Sequence, residues 1–449
     1  MIIKLLIFIF IVSWGRCELF STTPKTVDLS NLGMLKEDFF MKTQHVAEIY
    51  NAKHLILRGN KFDRFVDCST TLSSLLTLDL SYNNLEKFFF LCQKEYNLES
   101  LNVSHNQIEY INDQALSDKI IKLKILDVSY NNLYVVNDTM LQHMINLDFL
   151  SLASNPIGEN IDEFVFRNLT NLKHLNLRNI SSPYFSPLLF EPLLKLEFLD
   201  LSDNPIEDVP PLPLGLKVLY IDGTNIMHLG AFIMPELHFL SIERSANLTS
   251  VLLNNFENLT KLEILSLSNS KNLAEMRLKP QMNSNLLPSL KRCYLVNCSM
   301  ETISADLKRI VEKTEVLDFQ NNPWICDCRL TWLAAMNLTT DLKNNFRCQA
   351  PLKHRGKLLH DVPIDELECD VPLLSNPTVR FTLYILLWFC LVVLLLSLVA
   401  ALFAYYWKRG HIRRWMMKIR HHDNDTVSYT NVVESNHDLV RILPENPEQ

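Results

Sequence analysis

Leucines and one polar residue recur along most of the chain in the order Leu-x-x-Leu-x-Leu-x-x-Asn-x-Leu, where x is any residue. Clear copies begin at Leu75, Leu98, Leu123, Leu147 and Leu196. The Asn place returns about every 24 residues. It is occupied in turn by Asn60, Asn83, Asn106, Asn131, Asn155, Ile180, Asn204, Thr224, Ser245, Ser270, Cys298 and Asn322. Each copy predicts one short strand followed by a return loop.

This period resembles that of leucine-rich repeats. The leucines at the first, fourth and sixth places would point into a shared core, and the strands would stack in parallel. The inward Asn would bond backbone groups of adjacent coils that are otherwise buried without partners. No unit can bury its apolar face alone, so the units stand together. The pattern predicts an α/β solenoid, a leucine-rich-repeat horseshoe with a parallel β-sheet on its concave face.

Five units depart from the pattern at the Asn place. Thr224, Ser245, Ser270 and Cys298 can still bond the backbone, although less fully, whereas Ile180 cannot.

Two uncharged apolar runs flank the repeats. Residues 1–17 contain a short run followed by small residues, which predicts a cleaved signal peptide, with an uncleaved anchor as the alternative. Residues 381–407 carry no charge over a length sufficient for one transmembrane helix. Six Lys and Arg residues follow within 408–420, whereas the other flank offers only Arg380. The positive-inside rule therefore predicts a type I single-pass protein of the plasma membrane, with a cytoplasmic tail.

The cysteines fit an oxidising exterior. Cys326-x-Cys328, followed by Cys348 and Cys369, closes the array and resembles the C-terminal cap of extracellular leucine-rich repeats. The resemblance implies the disulfides Cys326–Cys348 and Cys328–Cys369, with Trp324, Trp332 and Leu333 covering the last repeat. Cys68 and Cys92 occupy equivalent places on adjacent coils, which predicts a lateral disulfide between them. Cys293 and Cys298 are expected to be buried thiols.

The boundaries follow from these features. We expect a signal peptide over 1–17, an N-terminal cap or degenerate repeat over 18–49, about twelve repeats over 50–322, a cysteine-containing cap over 323–370, a linker over 371–380, a transmembrane helix over 381–407 and a cytoplasmic tail over 408–449.

Repeats and cap together resemble the ectodomains of Toll-like receptors, Slit-type ligands and insect leucine-rich-repeat adhesion proteins. The resemblance implies a horseshoe that binds a protein or another large ligand outside the cell. Only 42 residues follow Trp407, so we expect no Toll-type cytoplasmic signalling domain.

The third place of each unit is expected to face the concave surface. It is mostly apolar from 125 to 264, and exposed apolar patches often mark interaction sites. The candidate ligand face consists of Ile125, Phe149, Phe198, Val218, Phe239 and Ile264. These residues are equally compatible with consensus filler of the family. The fifth place carries Asp79, Asp127, Asp200 and Asp318, which favours either a basic partner or an ordinary solvated face.

Eight Asn-x-Ser/Thr sequons lie in the expected exterior, at Asn102, Asn137, Asn168, Asn179, Asn247, Asn258, Asn297 and Asn337. Glycans at Asn102, Asn179 and Asn297 would confine binding on the concave face, which leaves a lateral or convex site as the alternative. In the tail, Tyr429, Asn431 and Val432 resemble a phosphotyrosine ligand of SH2 domains or a Tyr-x-x-apolar sorting signal.

Other function classes lack support in the sequence. A net charge of −7 gives no sign of a nucleic-acid partner, and zinc, nucleophile-elbow and phosphate-loop motifs are missing. We therefore expect no enzyme, no cofactor and no metal. The sequence predicts a cell-surface receptor or adhesion protein with an extracellular protein ligand, through homophilic or co-receptor association. The alternative is an accessory subunit that modulates a channel or another receptor in the membrane.

Overall fold

The computed structural model describes residues 25–41, 49, 52–67, 70–91, 95–279, 286–336, 340–369 and 377–422. They fall into two compact units. Met1–Cys369 contains the repeats and the cap, and Asp370–Gln449 contains the C-terminal helix.

Short strands alternate with irregular return segments throughout the first unit. The strands are β1 (Thr26–Asp28), β2 (His54–Ile56), β3 (Arg64–Asp67), β4 (Thr77–Asp79), β5 (Lys87–Phe90), β6 (Ser100–Asn102), β7 (Ile125–Asp127), β8 (Phe149–Ser151), β9 (His174–Asn176), β10 (Phe198–Asp200), β11 (Val218–Tyr220), β12 (Phe239–Ser241), β13 (Ser250–Leu252), β14 (Ile264–Ser266), β15 (Glu275–Arg277), β16 (Arg292–Tyr294), β17 (Val316–Asp318), β18 (Trp324–Ile325) and β19 (Cys348–Ala350). The α-helices are α1 (Lys36–Met41), α2 (Lys308–Lys313), α3 (Thr331–Ala334), α4 (Thr340–Asn345) and, in the second unit, α5 (Pro377–His422).

One parallel sheet runs through the whole array. Among the described residues it has thirteen strands in the order β1-β2-β4-β6-β7-β8-β9-β10-β11-β12-β14-β16-β17. Neighbouring strands pair residue for residue from their first positions, as in Ile125 opposite Phe149. Shorter parallel pairs, β3–β5, β13–β15 and β18–β19, lie outside this sheet. The predicted solenoid with a parallel sheet is therefore confirmed.

The leucines of the repeat form one continuous core. In the unit that begins at Leu75, the side chains of Leu75, Leu78 and Leu80 are at most 1% exposed. Full burial of one such side chain stabilises the fold by about 1.5–3 kcal/mol. Because the sheet positions one core leucine per coil beside the next, this stabilisation is shared between neighbouring coils.

The asparagines form the expected ladder between coils. Asn83 donates from Nδ2 to the carbonyl oxygens of Leu57 and Leu80, both at 3.0 Å, and its Oδ1 accepts from the N–H of Phe62 at 3.1 Å. The buried amides that make equivalent bonds are Asn60, Asn106, Asn131, Asn155, Asn204 and Asn322. Each amide thus satisfies backbone groups of two coils.

The irregular units mostly behave as expected. The Thr224 hydroxyl donates to the carbonyl of Ile221 at 3.2 Å, and the Cys298 thiol lies 3.4 Å from the carbonyl of Leu267. Ile180 is fully buried and contributes no polar group. Ser245 was expected to bond the backbone, but its buried hydroxyl has no partner among the described residues.

The array ends in a disulfide-bonded cap. Disulfides join Cys326 to Cys348 and Cys328 to Cys369. The Trp324 ring, 1% exposed, stacks on Phe346 with ring centroids 4.4 Å apart, and its Nε1 donates to the carbonyl of Phe319. Leu333 is buried and Trp332 half-buried, so apolar side chains cover the last coil.

The second unit is a single helix of 46 residues, α5. Within its segment Phe381–Ile419, an 18-residue window reaches a mean hydropathy of 3.0, so the helix is long and apolar enough to cross a membrane. The one apolar helix that the sequence predicts near the C-terminus is present.

Candidate ligand-binding face

The third-place residues form one column across the sheet. Each is the first residue of its strand, and the column runs in register through Ile125, Phe149, His174, Phe198, Val218, Phe239, Ile264 and Arg292. Ile125 is 44% exposed, and the predicted members from Phe149 to Ile264 are half-buried. The sheet therefore brings all six predicted residues to one solvent face.

Aromatic rings form a continuous strip along this column. Centroid distances are 6.2 Å for Phe149–His174, 5.4 Å for His174–Phe198, 5.7 Å for Phe198–Tyr220 and 4.9 Å for Tyr220–Phe239. We call these five residues the aromatic strip. Contacts in this distance range favour aromatic pairs beyond the area they bury.

Tyr220 is a member that the sequence analysis missed. It occupies the fifth place of its unit, where only the aspartates were considered, and it fills the gap left by the smaller Val218 in the third place. An aromatic residue at the fifth place beside an aliphatic third place is the signal that would have identified it.

Carboxylates border the strip on one side. Asp222 is 9% exposed and accepts hydrogen bonds from the Ser241 hydroxyl at 2.6 Å and the Glu243 N–H at 2.8 Å. Asp200 accepts from the N–H of Ser202 at 2.9 Å, and burial raises the pKa of its carboxyl above the ordinary value. We call Asp200, Asp222 and Glu243 the acidic border.

Burial shifts the pKa values of two residues in the aromatic strip, and the charges of the acidic border contribute at Tyr220. Burial, followed by the charges of the three carboxylates, raises the pKa of Tyr220. Burial also lowers the pKa of His174, because removal from water disfavours the cationic form of the imidazole. At neutral pH the strip therefore presents uncharged rings beside negative charge.

A nearby ion pair network contains two arginines and one aspartate. Asp203 accepts from Arg178 at 2.5 Å and from Arg244 at 2.6 Å. Gly223 beside it has φ of +63°, and a Cβ there would press against the Asp203 carboxylate, so the absence of a side chain leaves room for the Asp203–Arg244 pair. The network therefore has one positive charge in excess, and Arg244 feels the negative charges of Asp222 and Glu243 in the acidic border.

The opposite side of the column carries exposed pairs of opposite charge, such as Lys173–Asp148 and Lys217–Glu197. Exposed pairs of this kind contribute little to stability. Since each of these pairs is neutral overall, the net charge beside the strip is set by the three carboxylates of the acidic border, which the excess positive charge of the Arg178–Asp203–Arg244 network offsets only in part.

A second aromatic column lies on the first coils and was also missed. Tyr82 stacks on His105 at 4.0 Å, His105 stacks on Tyr130 at 4.1 Å, and the Arg58 guanidinium lies 4.2 Å from the centre of the Tyr82 ring. These three ring residues directly precede the ladder Asn and have φ between +53° and +56°. Burial lowers the pKa of His105.

The sequons surround the sheet face. Asn102 is the last residue of β6, whereas Asn179 and Asn297 follow β9 and β16 with positive φ. Exposed sequon asparagines elsewhere are Asn137, Asn247 and Asn258, and Asn168 is partly buried.

Other predicted features lie outside the described residues. They are the signal peptide at 1–17, Cys68, Cys92, Asn337, and the tail residues Tyr429, Asn431 and Val432. Their roles stay predictions.

Metal and cavity sites give no competing candidate. Within the ranges that the structure describes, no group of three or more His, Cys, Asp or Glu side chains could hold a metal ion. The short unit around Pro210 leaves an apolar groove of about 430 Å³, with Leu214, Phe232 and Ile233 in its lining. The groove lies in return segments outside the strands.

Comparisons with known proteins place the repeats in context. The leucine-rich-repeat family models match residues 96–157 and 195–215. Mouse trophoblast glycoprotein is 30% identical over 193 residues, 42% of this chain and 37% of that protein. Human leucine-rich repeat, immunoglobulin-like domain and transmembrane domain-containing protein 2 is 30% identical over 101 residues, 21% of this chain and 16% of that protein. The chain thus spans well under half the length of these relatives.

A crystal structure of a TLR13–ssRNA13 complex shares the fold, with a TM-score of 0.52 and 24% identity, over 69% of this chain and 49% of that one. Family models and relatives agree with the residue pattern, and the shared fold agrees with the parallel sheet. The chain carries leucine-rich repeats that share the fold of a Toll-like receptor structure, closed by a disulfide-bonded cap and followed by one apolar helix.

Proposed function

We propose that this protein is a type I single-pass receptor or adhesion protein of the plasma membrane that binds an extracellular protein ligand. The observation that carries the proposal is the aromatic strip, five rings in contact on the solvent face of the sheet. Aromatic side chains dominate the binding energy of protein interfaces because they bury large areas at little entropic cost.

The chain outside the strip supports the membrane topology. The candidate signal peptide precedes the repeats, and the apolar segment of α5 is followed by basic residues without an acid up to His422. By name, one of the two relatives is a glycoprotein and the other contains a transmembrane domain. The repeats would then lie outside the cell and the tail inside it.

The surroundings of the strip define the chemistry of the ligand. A partner that offers apolar side chains to Phe198 and Phe239, and Lys or Arg to the acidic border, would complement this face. Glycans at Asn102 and Asn297 would flank the column at its two ends, and one at Asn179 would stand beside the middle of it. Both a second copy of this chain and a co-receptor satisfy these requirements.

Proximity labelling on live cells with the full-length protein tests the proposal. The variant Phe198→Ala/Phe239→Ala removes two rings of the strip, whereas Leu194→Ala removes an exposed leucine, 80% exposed, that lies outside the strands. We expect the double variant to lose a set of labelled extracellular proteins that wild type and Leu194→Ala retain, with unchanged surface expression. If all three proteins label the same set, the strip is not the binding face.

Deletion of 408–449 separates the receptor from the accessory-subunit alternative. A receptor that signals through its tail would keep ligand binding and lose signalling. An accessory subunit that acts within the membrane would keep its modulation, and that function would map to 371–407.

A further inference from the structure

The helix α5 is longer than a membrane span requires. The uncharged residues 381–407 already extend about 40 Å at 1.5 Å per residue, against a hydrocarbon core of about 30 Å. The helix continues without interruption to His422. A straight continuation would carry residues 408–419 into water, and residues 411–419 are here called the basic segment.

The basic segment has two distinct faces. Ile412, Trp415, Met416 and Ile419 are spaced i, i+3, i+4 and i+7, so they share one side of the helix. Arg413, Arg414 and Lys418 fall on the opposite side at 100° per residue. The helix is therefore amphipathic along the basic segment.

Among the described residues of the second unit, none covers this apolar face. Trp415 is 66% exposed and Met416 is 56% exposed, and Ile412 and Ile419 are exposed to a similar degree. A helix with a compact apolar face and a cationic opposite face matches helices that lie in the membrane interface. Its charge selects a negative surface, because no acidic residue occurs between Phe381 and His422.

Gly410 supplies the position for a bend. It is the only glycine of α5 and lies between the apolar span and the amphipathic turns. A Cβ at this position would meet nothing within 4 Å, so packing does not require glycine here. Glycine weakens a helix through its backbone freedom, and a bend at Gly410 would turn the basic segment parallel to the membrane.

We propose that the basic segment binds the anionic phospholipid surface of the membrane that α5 crosses, with Ile412, Trp415, Met416 and Ile419 inserted among the lipids and Arg413, Arg414 and Lys418 facing the headgroups. The proposal rests on the membrane anchoring proposed above and is independent of the ligand-binding face.

Photo-crosslinking of the full-length protein in nanodiscs tests it. A photoreactive amino acid replaces Met416, on the apolar face, or Met417, a neighbour of the same size on the polar side. Position 395, within the apolar span, is the control for anchoring. Nanodiscs contain phosphatidylcholine alone or phosphatidylcholine with phosphatidylserine, and both of their faces are identical, so the readout does not depend on orientation.

We expect position 416 to form lipid adducts severalfold more often than position 417, and more often with phosphatidylserine present. Arg413→Gln/Arg414→Gln/Lys418→Gln should reduce the yield at 416 severalfold and leave the yield at 395 unchanged. Gly410→Ala, which stiffens the helix, should lower it as well. Equal yields of lipid adducts at 416 and 417, with normal labelling at 395, overturn the lipid-binding proposal and leave the membrane anchoring standing. Absence of lipid labelling at 395 overturns the membrane anchoring as well. In cell membranes, capture of an acidic protein at 416 in place of lipid also overturns it.

Discussion

Asn204 occupies a position in the ladder that no neighbour supports, and its replacement by alanine tests the ladder directly. Its Nδ2 donates to the carbonyls of Leu177 at 2.8 Å and Leu201 at 2.9 Å. Its Oδ1 accepts from the N–H groups of Ile180 at 3.1 Å and Ser182 at 3.2 Å. All four residues are fully buried, so Asn204→Ala leaves four buried backbone groups without partners.

Asn131 provides the contrast. Two of its carbonyl acceptors also receive bonds from Asn106 and Asn155, and the third, that of Ser129, also accepts from the N–H of His105, so Asn131→Ala strands only the N–H of Ile108. Asn204 lacks such support because the flanking ladder places hold Ile180 and Thr224. An unsatisfied buried group costs about 1–3 kcal/mol. Four groups against one give a difference in local opening free energy of at least about 3 kcal/mol, which corresponds to roughly 100-fold in an equilibrium constant.

Hydrogen exchange of the full-length protein in detergent measures this difference. Exchange in peptides that cover β9 to β11 should accelerate far more in Asn204→Ala than exchange around β6 and β7 does in Asn131→Ala. Asn132→Ala, at an exposed asparagine next to the ladder, should leave both regions unchanged. Equal acceleration in the two ladder variants would refute the count of stranded groups.

Three further predictions concern the cap, a buried acid and the free thiols. Replacing Cys328 and Cys369 by serine removes a crosslink across 41 residues and should cost about 4 kcal/mol, seen as earlier denaturation and faster proteolysis of the cap, whereas unchanged resistance would contradict it. Asp200→Asn should stabilise the protein at neutral pH, because burial raises the pKa of Asp200 and so disfavours its charged form. The gain in stability should vanish in acid, where both side chains are neutral. A gain that does not depend on pH would count against this cause. Burial raises the pKa of Cys293 to about 12 and of Cys298 to about 11, so both thiols should resist maleimide at mildly alkaline pH until the protein is denatured. The free energy of unfolding should fall as the pH rises from the ordinary thiol pKa through these values. Rapid labelling of the native protein would contradict the burial.

Sequence spacing was sufficient for the frame of the molecule because each coil repeats the same contacts. Every regular unit has a leucine at the place of Leu78 and an asparagine at the place of Asn83, so the inward side chains of one unit predict those of the next. The contacts between side chains on the solvent face of the sheet were harder to predict from the sequence. Tyr220 joins the strip through the side chains of two neighbouring coils, and a single unit does not reveal that contact.

Long-range polar contacts escaped prediction for a related reason. Asp203 and Arg244 are 41 residues apart and lie on coils that are separated by a single coil, so their contact crosses that coil. Ser245 was assigned a ladder role from its chemistry, yet its shorter side chain does not reach a carbonyl. Residue type established which bonds were available, whereas the distance between coils decided which of them formed.

Every coil holds the residue before the ladder place in the left-handed region, whatever its side chain: Tyr82, His105, Ser154, Asp203 and Arg244 all have φ near +55°. The neighbouring buried groups impose this conformation, so the side chain is free to vary while the backbone stays the same. The molecule therefore carries a row of side chains, one per coil, with a spacing near the strand spacing of about 4.8 Å. Each of these side chains can be substituted without a change in the backbone of its coil.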